Sequence, residues 1–220
     1  MTQWINKQRT LIVSTRGITN EQRHLLNDLH SLLPHSIKEA KLEKQNAIEE
    51  LRDLAEVRGC SHFIFFENKK RKFLRIILGN VLNGPSVMFD VDDITTTDEL
   101  KLTGNCLKGS RPILIFDKEF SNDAPLQLIK ELMINTLGTP KMHPKSMPFI
   151  DHVFFFGIED NRIWFRNYEI LYPLDKKQNI KLLEIGQRFC LLPLIIFNGF
   201  FGGDILWKNH IQSNLKVIVQ

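Results

Sequence analysis

An α/β fold made of two similar strand–helix–strand halves is predicted, and three observations predict it. Short β-branched or aromatic runs alternate with longer amphipathic ones. The order strand, helix, strands occurs from Thr10 to Leu100 and begins again at Pro112. Hydrophobic residues make up 43% and charged residues 25% of the 220 residues, which is globular composition rather than that of a disordered chain. A chain of this length builds one large domain or two small ones sharing a core. The halves fall at about 10–105 and 106–207, between an N-terminal extension, 1–9, and a tail, 208–220.

Each element has its own signal. Thr10 to Ser14 (TLIVS) reads as a buried strand. After the turn Thr15-Arg16-Gly17 comes a helix from about Asn20 to Leu33, with Asn20 as N-cap, Leu25 and Leu29 on one face, and Pro34 as the stop. Ser36 to Gln45 reads as a charged connection, and Ala47 to Val57 as a second amphipathic helix closed by Gly59. His62 to Glu67, Phe73 to Leu78 and Ser86 to Val91 are strands, and Thr95 to Leu100 is a short helix. In the second half Pro112 to Asp117 is a strand and Ala124 to Leu137 a helix ended by Gly138 and Pro140. Phe149 to Ile158 and Arg162 to Ile170 form a hairpin, and Lys181 to Cys190 with Leu194 to Asn198 a final strand pair.

Several function classes are disfavoured. The three cysteines, Cys60, Cys106 and Cys190, are far apart and form no CxxC pair, so neither a disulfide framework nor a zinc site is expected. The most apolar stretch, Phe189 to Phe201, is interrupted by Pro193, Asn198 and Gly199, and a bilayer span takes about 20 apolar residues. A soluble, intracellular protein without a membrane partner is expected. Gly104 to Ser110 is not a phosphate-binding P-loop, because Lys108 precedes the second glycine. Neither GxGxxG nor HExxH occurs. Asp151 and His152 lie near Ser146, but adjacent strand residues point to opposite faces and are not expected to cooperate. The expectation is a protein that is not an enzyme, with no cofactor, metal or small-molecule substrate.

The basic and aromatic residues are more informative. The net charge of +4 permits an anionic partner without requiring one. Lys108, Ser110 and Arg111 share one glycine-containing turn, which suits a phosphate. In Asn161 to Tyr168, alternation puts Arg162, Trp164, Arg166 and Tyr168 on one face and Ile163 and Phe165 on the other. Guanidinium groups beside aromatic planes stack unpaired bases and hold phosphates; they also form cation–π ladders that merely cover a sheet. Arg16 precedes a helix N-terminus, Arg23 lies in that helix, Lys141, His143 and Lys145 share a proline-punctuated loop, and Lys69 to Lys72 is a basic run. The candidate RNA contacts are Arg16, Arg23, Lys108, Ser110, Arg111, Lys145, Arg162, Trp164 and Arg166. A second reading is a protein-interaction module that docks a partner through Phe197, Phe200, Phe201 and Trp207.

Longer motifs carry a family resemblance. Ser14-Thr15-Arg16-Gly17, Arg23 to Leu29 and Leu33-Pro34-His35-Ser36 resemble the opening of the Brix domain, and Leu102 to Pro112 is a long and specific match. His143 to Ser146, Pro148 to Phe154 and Asp160 to Tyr168 continue it, so the likeness runs from about Arg9 to Trp207. The resemblance implies two halves, each similar to the anticodon-binding domain of class II aminoacyl-tRNA synthetases. It also implies a non-catalytic assembly factor that binds large-subunit precursor rRNA in the nucleolus. Its partners there would be ribosomal proteins and at least one dedicated assembly factor. The chain departs from the family where Gln187 stands in place of the proline of a Gly-Pro-Arg segment, and it lacks the longer charged tails of relatives.

Overall fold

Thr10–Ser14 (β1) is buried along its whole length, as a β-branched run in the middle of a sheet should be. A computed structural model describes residues 5–69, 73–173 and 179–209. From β1 the chain enters helix α1 (Asn20–Leu32), strand β2 (Ser36–Lys38) and helix α2 (Ala47–Val57). Strands β3 (His62–Lys69), β4 (Phe73–Asn80) and β5 (Ser86–Thr95) and the one-turn helix α3 (Thr97–Leu100) follow. The second half comprises β6 (Pro112–Phe116), α4 (Ala124–Leu137), β7 (His152–Glu159), β8 (Arg162–Leu171), β9 (Lys181–Glu184), β10 (Arg188–Phe197) and β11 (Ile205–Lys208). The basic run keeps only Lys69 among the described residues, and the end of the tail lies outside them.

All the strands join one sheet, ordered β2-β1-β3-β4-β5-β10-β8-β7-β6, with β9 added to β8 and β11 to β10. The same pairing scheme occurs twice. β1 lies parallel to β3, and β3, β4 and β5 are successively antiparallel. β6 lies parallel to β7, and β7, β8 and β10 are successively antiparallel. The two copies meet where β5 and β10 pair antiparallel from Ser86 to Thr95. This is the mixed α/β fold of two similar halves that the alternation of elements predicts.

Four local features differ from the sequence reading. The N-cap of α1 is Thr19, not Asn20: the Gln22 N–H donates to the Thr19 hydroxyl, and the Thr19 N–H to Gln22 Oε1. This reciprocal box satisfies two of the unpaired donors at the helix start. Within the expected connection, Ser36–Lys38 forms a short edge strand parallel to β1. The expected final strand pair is instead β9, which pairs with β8, and one continuous β10. Pro193 does not break β10, because the register shifts between Pro193 and Ile195 and a bulge accommodates a residue without an N–H. Last, β11 pads the edge of β10.

The helices set the two faces of the sheet. Leu25, Leu26 and Leu29 of α1 and Ile129, Leu132 and Met133 of α4 share one apolar core with Phe66, Phe89, Phe154 and Phe165. Both halves therefore rest on a common core. Leu51 and Ala55 of α2 cover the opposite face of the first half, over Leu11, Val13, Phe63 and Phe65. Phe200 and Phe201 pack on Phe63 in this second cluster, and Phe197 is buried on β10. These aromatics are spent on the core, so they do not form the docking surface of the second sequence reading; Trp207 packs partly against the first cluster. Among the described residues no helix covers the corresponding face of the second half, where Trp164 and Arg166 lie.

One carbonyl ties the halves together. The last carbonyls of a helix lack partners within it. That of Thr136 accepts from the Thr10 hydroxyl and from His35 Nε2, each at 3.1 Å. His35 is therefore the Nε2–H tautomer, and burial pushes its imidazole down to about 4, against the opposing effect of the Thr136 bond.

The unfolded chain takes up this proton near pH 6.5 and the folded one only near pH 4, so the unfolded state binds more protons in between. Stability should be full above pH 6.5 and fall as pH drops toward 4, by about 2 kcal/mol at pH 5 from His35 alone. His62 and His143, also lowered by burial, add in the same direction. Urea unfolding at pH 7, 6 and 5 checks this, and His35→Gln should flatten the dependence.

Candidate nucleic-acid interface

The segment 105–111 leads into β6 and is held by a second loop from the same half. The Met147 N–H donates to the Gly109 carbonyl at 2.7 Å, and the Arg111 N–H to that of Phe149 at 2.9 Å. Gly109 has φ +85°, in the region that favours glycine, and a Cβ there would meet the Lys145 carbonyl at 3.2 Å. The glycine thus lets the two loops close on each other, with Lys108 and Lys145 both exposed. A third cation joins them. The imidazole of His30 is held below its ordinary range by burial first, then by Lys38, Lys145 and Lys108. Three lysines from separate segments thus lie within electrostatic reach of His30 near the end of α1, and Lys38 also donates to Asn27 Oδ1 at 2.6 Å.

Ser110, Asp151 and His152 anchor this loop. Asp151 Oδ1 lies 2.7 Å from His152 Nδ1, and the Leu107 N–H donates to Asp151 Oδ2 at 2.6 Å. The expectation that Asp151 and His152 do not cooperate is therefore corrected. Asp151 precedes the first residue of β7, so the alternation of a strand does not apply to it. Burial alone would raise the Asp151 carboxyl, but bonds from Ser110, His152 and the Leu107 N–H outweigh it and hold it below the usual range. Ser110 Oγ also sits 3.2 Å from His152 Nδ1. In a nucleophilic relay the serine and the carboxylate bond opposite ring nitrogens; here both address Nδ1. The trio works as a clamp between the loop and the sheet.

Beside the clamp a cleft of about 320 Å³ opens at the seam of the two halves. Its walls come from α1, Thr97, the 105–110 loop, the 185–187 turn, His152 at the start of β7 and Asn167 of β8. Asp28 of α1 accepts from the Thr97 N–H at 3.2 Å, which fixes α3 against one side. Gly104 is needed for the close approach of the turn, since a Cβ would collide with the Ile185 side chain.

The β8 stripe lies elsewhere. Its alternation holds: Ile163, Phe165 and Asn167 are buried, and Arg162, Trp164, Arg166 and Tyr168 are half-buried on the other face. Arg166 lies 5.8 Å from the Trp164 ring centroid, a cation–π contact. The guanidinium groups have acidic neighbours, however. Arg162 bonds Asp92 at 3.1 Å, and Arg166 lies 4.0 Å from Glu184, which also receives two bonds from Arg188. Glu169 pairs with His152, so the clamp and Arg162 are separated by most of β8, roughly 23 Å at about 3.3 Å per residue. Arg16 is exposed and paired with Glu43 at 2.6 Å, and Arg23 lies on the exposed face of α1.

Lys108, Ser110, Arg111 and Lys145 are thus brought together, while Arg162, Trp164 and Arg166 form a second surface. Sequence reasoning missed Lys38, His30 and Asn167. Only Asn167 carried a signal, since alternation places this polar residue on the same face as Ile163 and Phe165. Among the described residues no His, Cys, Asp and Glu cluster is arranged to hold a metal, and no helix is long and apolar enough to cross a membrane.

Residues 15–195 match the Brix domain family model. The chain is 48% identical over 211 residues to the "Ribosome biogenesis protein BRX1 homolog" of Xenopus laevis, covering 96% of this chain and 61% of that protein. It is 44% identical over 223 residues to the "Ribosome biogenesis protein BRX1" of Saccharomyces cerevisiae, covering 98% of this chain and 77% of the relative. The chain thus spans about three fifths of the Xenopus protein. A crystal structure of a "probable ribosomal biogenesis protein from Aeropyrum pernix K1" shares the fold, with a TM-score of 0.57, 13% identity, and coverage of 84% of this chain and 95% of that one.

Removing the clamp carboxylate should loosen the loop without dismantling the sheet. Asp151→Ala should cost about 2–3 kcal/mol through the charge-assisted bonds it removes. Hydrogen exchange at the Leu107 amide should accelerate while β3 amides stay protected, as read by mass spectrometry.

Proposed function

This chain belongs to the Brix-domain family, and we propose that it is a non-enzymatic assembly factor that binds precursor rRNA of the large ribosomal subunit. The observation that carries the reading is the likeness, over nearly the whole chain, to proteins named for ribosome biogenesis. Lys108 lines the seam cleft and the loop carrying Lys145 closes on Gly109 beside it, which supports RNA as the ligand, because separate segments supply cations to one place. The mechanism is scaffolding: lysines hold backbone phosphates, and the Trp164–Arg166 stripe stacks unpaired bases. Ribosomal proteins and a dedicated assembly factor are the protein partners, and the nucleolus is the place of action.

A second reading, a protein-binding scaffold with little RNA contact, is favoured by the uncovered sheet face of the second half. Ile113 and Ile115 of the edge strand β6 are both exposed there. The two readings separate by salt dependence, since phosphate contacts release counterions and apolar docking does not.

Binding of the full chain to large-subunit rRNA fragments should weaken steeply with salt. Lys108→Ala with Lys145→Ala should flatten the log–log slope by roughly 1.4, at about 0.7 for each phosphate no longer held. Arg162→Ala with Arg166→Ala should flatten it less, because carboxylates already neutralise both groups. Fluorescence anisotropy across a salt series reads both. Salt-insensitive binding, or none, would shift the assignment to the protein scaffold.

A further inference from the structure

The two halves follow one plan, and the second lacks two parts of it. In the first half residues 33–61 join α1 to β3 and carry β2 and α2. The matching connection between α4 and β7, residues 138–151, is shorter and contains neither a strand nor a helix. The strand register shows what is left uncovered. Leu11 and Val13 of β1 pair with Phe63 and Phe65 of β3, and all four are at most 2% exposed in the cluster that α2 covers. Ile113 and Ile115 of β6 pair with Val153 and Phe155 of β7 in the same pattern. They too face away from the common core, since Phe154 and Phe156 take the core side. Here Val153 is buried and Phe155 half-buried, but Ile113 and Ile115 are each 41% exposed.

The second half also leaves an edge open. β2 pairs parallel with β1 and covers its outer edge, whereas β6 ends the sheet with no strand beyond it among the described residues. Natural proteins cover or charge such edges, and Ile113 and Ile115 carry no charge. Beside them lies an open groove of about 460 Å³ lined by Phe155, Gly157, Trp164 and Arg166. Gly157 brings no side chain to it, which leaves room for a close approach. Arg166 makes no hydrogen bond to an acceptor among the described residues: Glu184 lies 4.0 Å away and gives both its carboxylate oxygens to Arg188. The groove therefore offers a cation to which an acidic side chain is complementary.

We propose that a protein partner supplies the missing parts: a short strand parallel to β6, leading into an amphipathic helix that lies over Ile113, Ile115 and Phe155 with a carboxylate facing Arg166. The first half shows the form of this occupant. Ser36–Lys38 pairs with β1, and Ala47–Val57 lays Leu51 and Ala55, one turn apart, on the sheet. RNA is the poorer occupant of β6, because the isoleucines offer neither charge for a phosphate nor a ring for a base. The inference rests on the scaffolding reading and gives one of its protein partners an address and a shape, at the border of the β8 stripe.

The test puts the photo-crosslinker p-benzoylphenylalanine into the full chain in cells, in place of Ile113, of Ile115 and, as a control, of the exposed Leu82 between β4 and β5. Mass spectrometry should show that the first two positions label one segment of one other protein, at residues three or four apart as on a helix face, and that the control does not. Ile113→Ser with Ile115→Ser should abolish co-purification of that protein and leave the affinity for large-subunit rRNA fragments unchanged. If this variant loses its near-ultraviolet circular dichroism, the labelling pattern decides alone. Label on RNA, on a second copy of this chain or on scattered residues of many proteins would overturn the proposal. So would labelling no stronger than from the control, or co-purification retained by the folded variant. None of these outcomes touches the RNA-binding reading, which falls only if rRNA fragments fail to bind.

Discussion

Strand β10 is the constraint on which the molecule depends. It pairs with β5 along one edge and with β8 and β11 along the other, so it closes two four-stranded units into one sheet. Its composition suits that position. From Phe189 to Phe197 every residue is buried, as the near-continuous apolar run FCLLPLIIF requires of a strand covered on both sides. The common core follows from this seam. Phe89 on β5 and Phe165 on β8 belong to one apolar cluster only because β10 holds their strands two positions apart. The seam cleft follows as well, since the turn that starts β10 brings Ile185 and Gln187 against α1 and the 105–110 loop.

Charge is distributed unequally over this frame. The β8 cations are accompanied by carboxylates from β5 and β9, so that stripe carries less net field than its count of arginines suggests. At the other end of β8, burial first, and then the charges of Lys38, Lys145 and Lys108, hold the His30 imidazole below its ordinary range. A long anionic polymer could touch both regions, whereas a small anion would settle at one. The internal duplication is thus symmetric in its strands and asymmetric in its surface: α2 shields one half, and the other presents aromatic and basic side chains.

Much of the fold was legible because its signals are local. Periodicity located β1, α1, α2 and α4 to within a residue or two, and the alternation along β8 assigned both faces correctly. What escaped depended on partners distant in sequence. Ser36–Lys38 has little apolar pattern and becomes a strand only because β1 offers a free edge. Pro193 looked like a terminator, and only the bulge opposite β5 makes it tolerable. Thr19 and Asn20 are both acceptable caps by type, and the choice fell to the glutamine three residues after the threonine. The cleft was invisible for the same reason, since it is assembled from segments separated by up to some 160 positions, from Asp28 to Gln187.

The placement of β10 roughly 90 residues after β5 has a consequence for how the protein is made. The first half is complete in sequence at β5, yet the strand that covers the edge of β5 is not synthesised until residues 188–197. At ordinary elongation rates of about 5–20 residues per second, this edge waits roughly 5–20 s with its backbone donors and acceptors unpaired. An open edge of that kind invites pairing with other nascent chains. Until β10 arrives, the Ser86–Thr95 edge is therefore the part of the nascent first half most exposed to wrong pairing, whatever the final stability of the fold.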